Sequence, residues 1–297
     1  MASPDYFKNL FPRGFHPFSE SPAYAVLRDD APEACRAFLL RSWPRDLMRS
    51  PDTPVGRIPL EILDLDDQQY LKRWYTHGGL LGPLFGGLFF GTSRPFRELD
   101  TATYAVACGV PTVDPIGACV WKIAGPIYRC ALLTRRAFGA SNMPEFLAKN
   151  KHMDTAFRRD LIEQTADAVR RMHDAGIYHA DLNLANILVQ QTGPNNSDVR
   201  ILIIDWDRTR VRRRVGIYRR TKNLLRMSRS SVKQARRGVP ITQTDRIRFL
   251  RAYCAGKYPW VHRLALRGPI KLLYVLKWRV ADWIYKLIGR PEPVVQN

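Results

Sequence analysis

The segment His179-Ala180-Asp181-Leu182-Asn183-Leu184-Ala185-Asn186 is followed by an apolar run, Ile201 to Ile204, that ends in Asp205-Trp206-Asp207. Moving a phosphoryl group to a hydroxyl needs a carboxylate that orients the hydroxyl and takes its proton. It also needs oxygen ligands for Mg²⁺ bridging the nucleotide phosphates. Asp181 suits the first role; Asn186, in the same loop, and Asp205, at the end of the next strand, suit the second. The H-x-D-x-x-x-x-N spacing lets one loop turn both side chains into a single cleft. A polar β-turn that uses Asn and Asp only as turn formers is the competing reading. The apolar strand ending in Asp and the long helix upstream weigh against it. His179 reads as a structural imidazole that holds the loop, not as a proton shuttle.

The elements around this loop are legible in outline. From Phe157 to Ala175, Leu161, Thr165, Ala168 or Val169 and Met172 mark one face of an amphipathic helix, with Gly176 placed as its C′ residue. A short strand, IYHADLNLANILV with its polar loop, and a second strand RILIIDWD come next. Upstream, IPLEILDL and QQYLKRWY flank Asp66-Asp67 as a hairpin, and VDPIGACVWKI and IYRCALLTR are strands joined by Gly125-Pro126. Pro95 opens a helical pattern through Phe96, Leu99 and Val106 that stops at Gly109. The Gly-punctuated apolar stretch 78–91 can pack or dip into lipid. Residues 1–54, rich in Pro and aromatics, show no sustained period and read as an irregular extension.

Composition bounds the classes. The 297 residues are 45% hydrophobic and 25% charged, a globular balance that excludes general disorder. The net charge of +20 is concentrated: residues 1–207 carry 23 basic and 24 acidic side chains, residues 208–297 carry 24 and 3. A neutral body with a cationic C-terminal third points to an anionic counterpart, whether nucleic acid, acidic membrane surface or phosphate-bearing substrate. The five cysteines lack CxxC or His-paired metal spacing and read as reduced thiols. No secretory signal pattern and no spanning apolar run is present in the sequence, so a cytoplasmic protein that can lie on a membrane is expected.

The motifs THGGL, RPFREL and HADLNLANILV followed by IDWDR, with NLLRMSRS and TDRIRFLRAY, resemble the lipopolysaccharide core kinases, the Kdo and heptose kinases of the protein-kinase-like superfamily. The resemblance runs from about Gln69 to Tyr253 and implies an α+β, two-lobed fold: a small β-rich lobe with one helix, a larger helical lobe, and ATP between them. It implies lobes at 55–133 and 134–256 after the 1–54 extension, and a basic aromatic helical segment at 257–297. By resemblance Asp181 is the catalytic base and Asn186 and Asp205 are the magnesium ligands. Glu98 pairs with a basic residue on the third strand, for which Lys72 and Arg73 are neighbours. Lys72 is favoured, because a compact ammonium suits the α- and β-phosphates and the adjacent cation can point to the other face.

The sequence also departs from protein kinases. Asp205-Trp206-Asp207 lacks the glycine of the DFG motif, which argues against protein substrates, and no GxGxxG precedes Lys72, only Gly56. Residues 208–237 hold 13 Lys or Arg and no acid. An anionic acceptor fits such a run, and Trp and Tyr beside cations in residues 270–288 suit either a membrane interface or packing on the large lobe. The expected activity is ATP- and Mg²⁺-dependent phosphorylation of an inner-core sugar, Kdo on a lipid A precursor first. The protein would work as a peripheral protein on the cytoplasmic face of the inner membrane, with the anionic glycolipid and anionic lipid as partners. The alternatives are a heptose kinase, an aminoglycoside- or choline-type kinase, whose cationic acceptors call for an acidic lobe, and an inactive scaffold. No nucleic-acid partner is expected, since neither a zinc-finger nor an RNP-type motif is present.

Overall fold

The computed structural model describes residues 12–43, 60–65, 68–76, 86–192 and 198–254. Seven strands of the small lobe make one antiparallel sheet: β1 (Phe15–Glu20), β2 (Ala23–Arg28), β3 (Leu60–Leu65), β4 (Gln68–Trp74), β5 (Phe89–Phe90), β6 (Pro115–Ala124) and β7 (Ile127–Arg135). The order is β1-β2-β6-β7-β4-β3, with β5 also on β7. The expected pairings appear: Leu65 faces Gln68 across the β3–β4 hairpin, and β6 and β7 pair around Gly125, whose φ is +46°.

Two helices cover the sheet, one on each face, and the alternation of side chains sorts the core into two layers. On one face Tyr70, Trp74, Cys119, Trp121, Ala131 and Leu133 pack with Cys35, Phe38 and Leu39 of helix α1 (Glu33–Leu40). On the other, Ala118, Val120, Cys130 and Leu132 pack with Phe96 and Leu99 of α2 (Ser93–Ala107).

This corrects the reading of residues 1–54 as irregular and of the small lobe as beginning at residue 55. β2 lies between β1 and β6, so Ala25, Val26 and Leu27 are all buried. A strand enclosed on both faces shows no alternation in its sequence. Helix α1 has only eight residues, too few for a helical period to stand out.

The large lobe is built from β8 (Ser141–Asn142), α3 (Met143–Lys149), α4 (Thr155–Asp174), β9 (Ile177–Tyr178), β10 (Ile187–Thr192), β11 (Asp198–Ile203), β12 (Arg210–Val211), α5 (Ile217–Arg236) and α6 (Gln243–Cys254). Asp154 caps α4 by accepting from the amides of Ala156 and Phe157. The helix ends where sequence placed its stop: Gly176 has φ +81°, and a Cβ there would lie 2.0 Å from the Arg212 carbonyl oxygen. Only glycine allows this approach, which sets the start of β9. One core joins Leu161, Val169 and Met172 of α4 to Ile187, Val189, Ile201, Leu224 and Tyr253.

Most of the apolar stretch 78–91, Gly56, the Asp66-Asp67 turn and the aromatic segment 257–297 fall outside the described residues. No described helix is long and apolar enough to cross a membrane.

Candidate active site

The loop between β9 and β10 is held from behind by His179. This fully buried imidazole donates from Nε2 to the Ile204 carbonyl (3.0 Å) and accepts at Nδ1 from the Asp181 amide (3.1 Å). Burial lowers its pKa, so the ring is neutral, as the two bonds require. Inside the loop, Asn183 caps the single turn Leu184–Asn186 by accepting from the Ala185 amide (2.8 Å). Asn186 donates its Nδ2 to the Asp181 carbonyl (2.9 Å), which orients Oδ1, an oxygen of the kind Mg²⁺ takes, away from that bond. The backbone of the next strand closes the arrangement, with the Ile204 amide donating to the Asn186 carbonyl (3.0 Å). Asp181, Asn186 and Asp205 are thus brought together by four hydrogen bonds, each made by a residue of the sequence motif or its neighbour.

Helix α5 clamps the same loop from a third direction. Asn223 donates to the His179 carbonyl (2.8 Å), Arg226 donates to Asp181 Oδ1 (3.2 Å), and the Leu184 amide donates to Ser230 Oγ (3.2 Å). These positions, i, i+3 and i+7, lie on one helix face. Behind Asn223, His173 donates from Nε2 to Asn223 Oδ1 (3.1 Å) and accepts from the Tyr253 hydroxyl (2.8 Å). Burial pushes the His173 pKa down to about 3. Buried Arg220 also reaches Tyr253, at 3.2 Å.

A second group of charged residues is carried by β4 and α2. Arg73, not Lys72, pairs with Glu98 and also donates to Asp205 Oδ1 (3.1 Å). Tyr75 donates its hydroxyl to the other Glu98 oxygen. Burial is the main influence on Glu98 and raises its pKa, against the pull of Arg73. Burial also works against the charge on Arg73, but Glu98, Tyr75 and Asp205 outweigh it and keep the guanidinium protonated. The Arg73 charge thus offsets part of what burial costs the Glu98 carboxylate.

The expected preference for Lys72 is corrected by strand parity. Tyr70, Lys72 and Trp74 point to the α1 face, where the Lys72 ammonium is fully buried. It donates to the carbonyls of Phe38 (3.1 Å) and Arg41 (2.7 Å), lies 3.8 Å from Glu61, and sits 4.5 Å from the Trp74 ring centroid. Burial lowers its pKa to about 8.

A second bond between the lobes was missed from sequence. Arg94 grips Asp207 with both ends of its guanidinium, 2.9 Å at Nε, and stacks over Phe89 and Tyr75. Arg94 and Glu98 are four apart in RPFREL and so share a face of α2. That spacing was the available signal.

Asp205 adopts φ +67°, a left-handed conformation that Asp tolerates better than most residues. With Asn186 it offers an all-oxygen pair suited to Mg²⁺, which takes one or two carboxylates and completes its shell with water and substrate phosphates. No cluster of three or more His, Cys, Asp or Glu suited to a metal occurs among the described residues.

Comparison with known proteins agrees with this geometry. A sequence model described as the lipopolysaccharide kinase (Kdo/WaaP) family matches residues 52–253. A 3-deoxy-D-manno-octulosonic acid kinase of Actinobacillus succinogenes is 31% identical over 65% of this chain and 79% of its own. One from Vibrio cholerae is 27% identical over 72% and 86%. Among solved structures, one titled "WaaP in complex with acyl carrier protein" superposes with a TM-score of 0.53 at 19% identity, covering 78% of this chain and 86% of that one, and supports the two-lobed kinase-like fold.

Proposed function

The chain belongs to the lipopolysaccharide kinase (Kdo/WaaP) family, an ATP-using phosphotransferase acting on a lipopolysaccharide core sugar, and from this premise we propose that its acceptor is 3-deoxy-D-manno-octulosonic acid (Kdo) on a lipid A precursor. The observation that carries the site assignment is the closure of the loop: Asn186 on the Asp181 carbonyl, Ile204 on Asn186, and His179 on both Asp181 and Ile204.

Asp181 orients the sugar hydroxyl and accepts its proton as the oxygen attacks the γ-phosphorus. The bond from that phosphorus to the bridging oxygen breaks, and ADP leaves. Arg73, fixed by Glu98, is the cation we assign to aligning the phosphates, supported by the burial of Lys72 on the opposite face of β4. Mg²⁺ would be held by Asn186 and Asp205, where it supplies charge neutralisation at the phosphate oxygens. The membrane reading follows from charge: 13 cations and no acid in residues 208–237 suit the cytoplasmic face of an anionic inner membrane, where the glycolipid acceptor would be met.

The test is direct. Purified protein, ATP and Mg²⁺ are incubated with a Kdo-bearing lipid A precursor, in parallel with a heptose-bearing acceptor, and the products are weighed by mass spectrometry. One added phosphate on the Kdo acceptor is expected; addition only to the heptose acceptor would replace Kdo as the substrate.

A further inference from the structure

We infer that Arg226 is a specificity-determining residue that binds the acceptor's own carboxylate beside the hydroxyl being phosphorylated. The inference rests on the proposed sugar-acid acceptor and adds the group that recognises it. Arg226 touches the proposed base, with Nη1 3.2 Å from Asp181 Oδ1, and that bond is the guanidinium's sole hydrogen bond among the described residues. A guanidinium carries five N–H donors in a planar fork. Most of that fork is therefore unused, next to the carboxylate that receives the hydroxyl proton, on a side chain 26% exposed.

A purely structural role accounts poorly for this placement. Buried Asn223, Leu224, Leu225 and Met227, with Ser230 on the Leu184 amide, already fix α5 against the loop. Arg226 adds a partly exposed charge to that face, beside the exposed Asp181 carboxylate. Its neighbours on the helix surface, Lys222 at i−4 and Arg229 at i+3, are also cations, and α5 contains no acid. Among the described ion pairs, the carboxylate facing Arg226 is that of Asp181. A second carboxylate, brought by the substrate, would occupy the free N–H groups in the bidentate manner guanidinium favours. One guanidinium would then hold base and acceptor together and fix the distance between Asp181 and the reacting hydroxyl. Arg219, Lys222, Arg229 and Lys233 continue the stripe at three- and four-residue spacing and supply countercharge to further anionic groups of a glycolipid.

The experiment compares the Kdo-bearing lipid A precursor with the same compound carrying its carboxyl as the methyl ester. The kcat and KM values for acceptor and ATP are measured in neutral detergent for wild type, Arg226→Gln and Arg226→Lys. Loss of a charged hydrogen bond corresponds to roughly 10- to 100-fold. Wild type should prefer the acid over the ester by a factor in that range in kcat/KM. In Arg226→Gln the ratio should fall close to one with the KM for ATP unchanged, and Arg226→Lys should lie between them. Should the glutamine variant fail to fold, the lysine variant decides: a ratio equal to wild type overturns the assignment. So does a glutamine variant that keeps the wild-type ratio, or one that loses activity equally with acid and ester, which would show that Arg226 does not read the carboxylate. Equal use of acid and ester by wild type overturns the Arg226 assignment alone. Failure of wild type on both compounds overturns the sugar-acid reading beneath it.

Discussion

Replacing Arg73 tests the nucleotide side most sharply, because its two partners differ in burial. Glu98 is only 2% exposed, whereas Asp205 keeps 35% of its side chain in solvent. Arg73→Met removes the cation and leaves Glu98 as an uncompensated buried carboxylate, with the Tyr75 hydroxyl as its remaining side-chain hydrogen bond among the described residues. Breaking a buried pair from one side costs about 3–5 kcal/mol. Against a domain stability of about 5–15 kcal/mol this is severe but survivable. Glu98→Gln removes the buried charge instead, so the double variant Arg73→Met/Glu98→Gln should recover most of the lost stability, with a coupling on the order of 2 kcal/mol in the cycle. Phosphoryl transfer should not recover, since both variants lack the guanidinium. Lys72→Met serves as the control: the stem stays packed between Trp74 and Trp121, and the KM for ATP should remain within a factor of about two. Urea unfolding at pH 7 reads the stability, and initial rates against ATP read the binding. Transfer that survives Arg73→Met but is abolished in folded Lys72→Met would refute the assignment of the phosphate cation, and zero coupling would refute the electrostatic account of the pair.

Other expectations follow from the same geometry. Asp181→Ala should abolish transfer while leaving the melting temperature near wild type, because its carboxylate is exposed; near-normal turnover would remove it as base. Asn186→Ala and Asp205→Ala should raise the Mg²⁺ concentration needed for half-maximal rate, Asp205→Ala more steeply because a carboxylate brings full charge, and a titration with neither shifted would reject both as ligands. The His173 pKa lies below its unfolded value, so the unfolded chain binds protons first. The stability this group provides is complete above about pH 6.5 and is lost as the pH falls toward 3, by up to about 1.4 kcal/mol per pH unit. Urea midpoints of wild type and His173→Gln between pH 7 and 5 should therefore converge as the pH falls; parallel curves would contradict a buried neutral imidazole. Vesicles containing anionic lipid should bind the protein, with affinity falling steeply between low and physiological salt, whereas equal binding to neutral vesicles would eliminate the electrostatic part.

The loop carrying Asp181 and Asn186 was legible because the chemistry proposed for it needs fixed residue types at fixed spacing, and the long helix before it because an apolar stripe closed by a left-handed Gly176 is a local signal. The hairpins announced themselves through turn chemistry. What stayed hidden was decided by tertiary context. Lys72 and Arg73 are adjacent cations, and only the sheet's two covers determine which one faces α2. Tyr70 and Trp74 flank Lys72 at period two, so the clue existed. Reading it required knowing that α1, drawn from a stretch without visible period, covers that face. The Arg94–Asp207 and Arg226–Asp181 bonds join residues 113 and 45 positions apart, beyond the range of any local pattern.

The strip Pro111-Thr112 has a mechanical consequence. Thr112 bridges Ile203 as a parallel partner and donates its hydroxyl to the Ile203 carbonyl (2.6 Å), the Ile203 amide donates to the Pro111 carbonyl (2.9 Å), and Trp206 donates its indole N–H to Thr112 (2.9 Å). The chain leaving α2 is thereby stitched to the large lobe on both sides of Asp205. Any rotation of the small lobe against the large one therefore has this stitch as its fulcrum, with the sheet, covered on both faces, as a stiff lever. In such a rotation displacement would grow with distance from the fulcrum, least at Asp205 and most at the far strands of the sheet. Such a rotation would part the Arg94–Asp207 and Arg73–Asp205 bonds but would need no rebuilding of the backbone that carries Asp205.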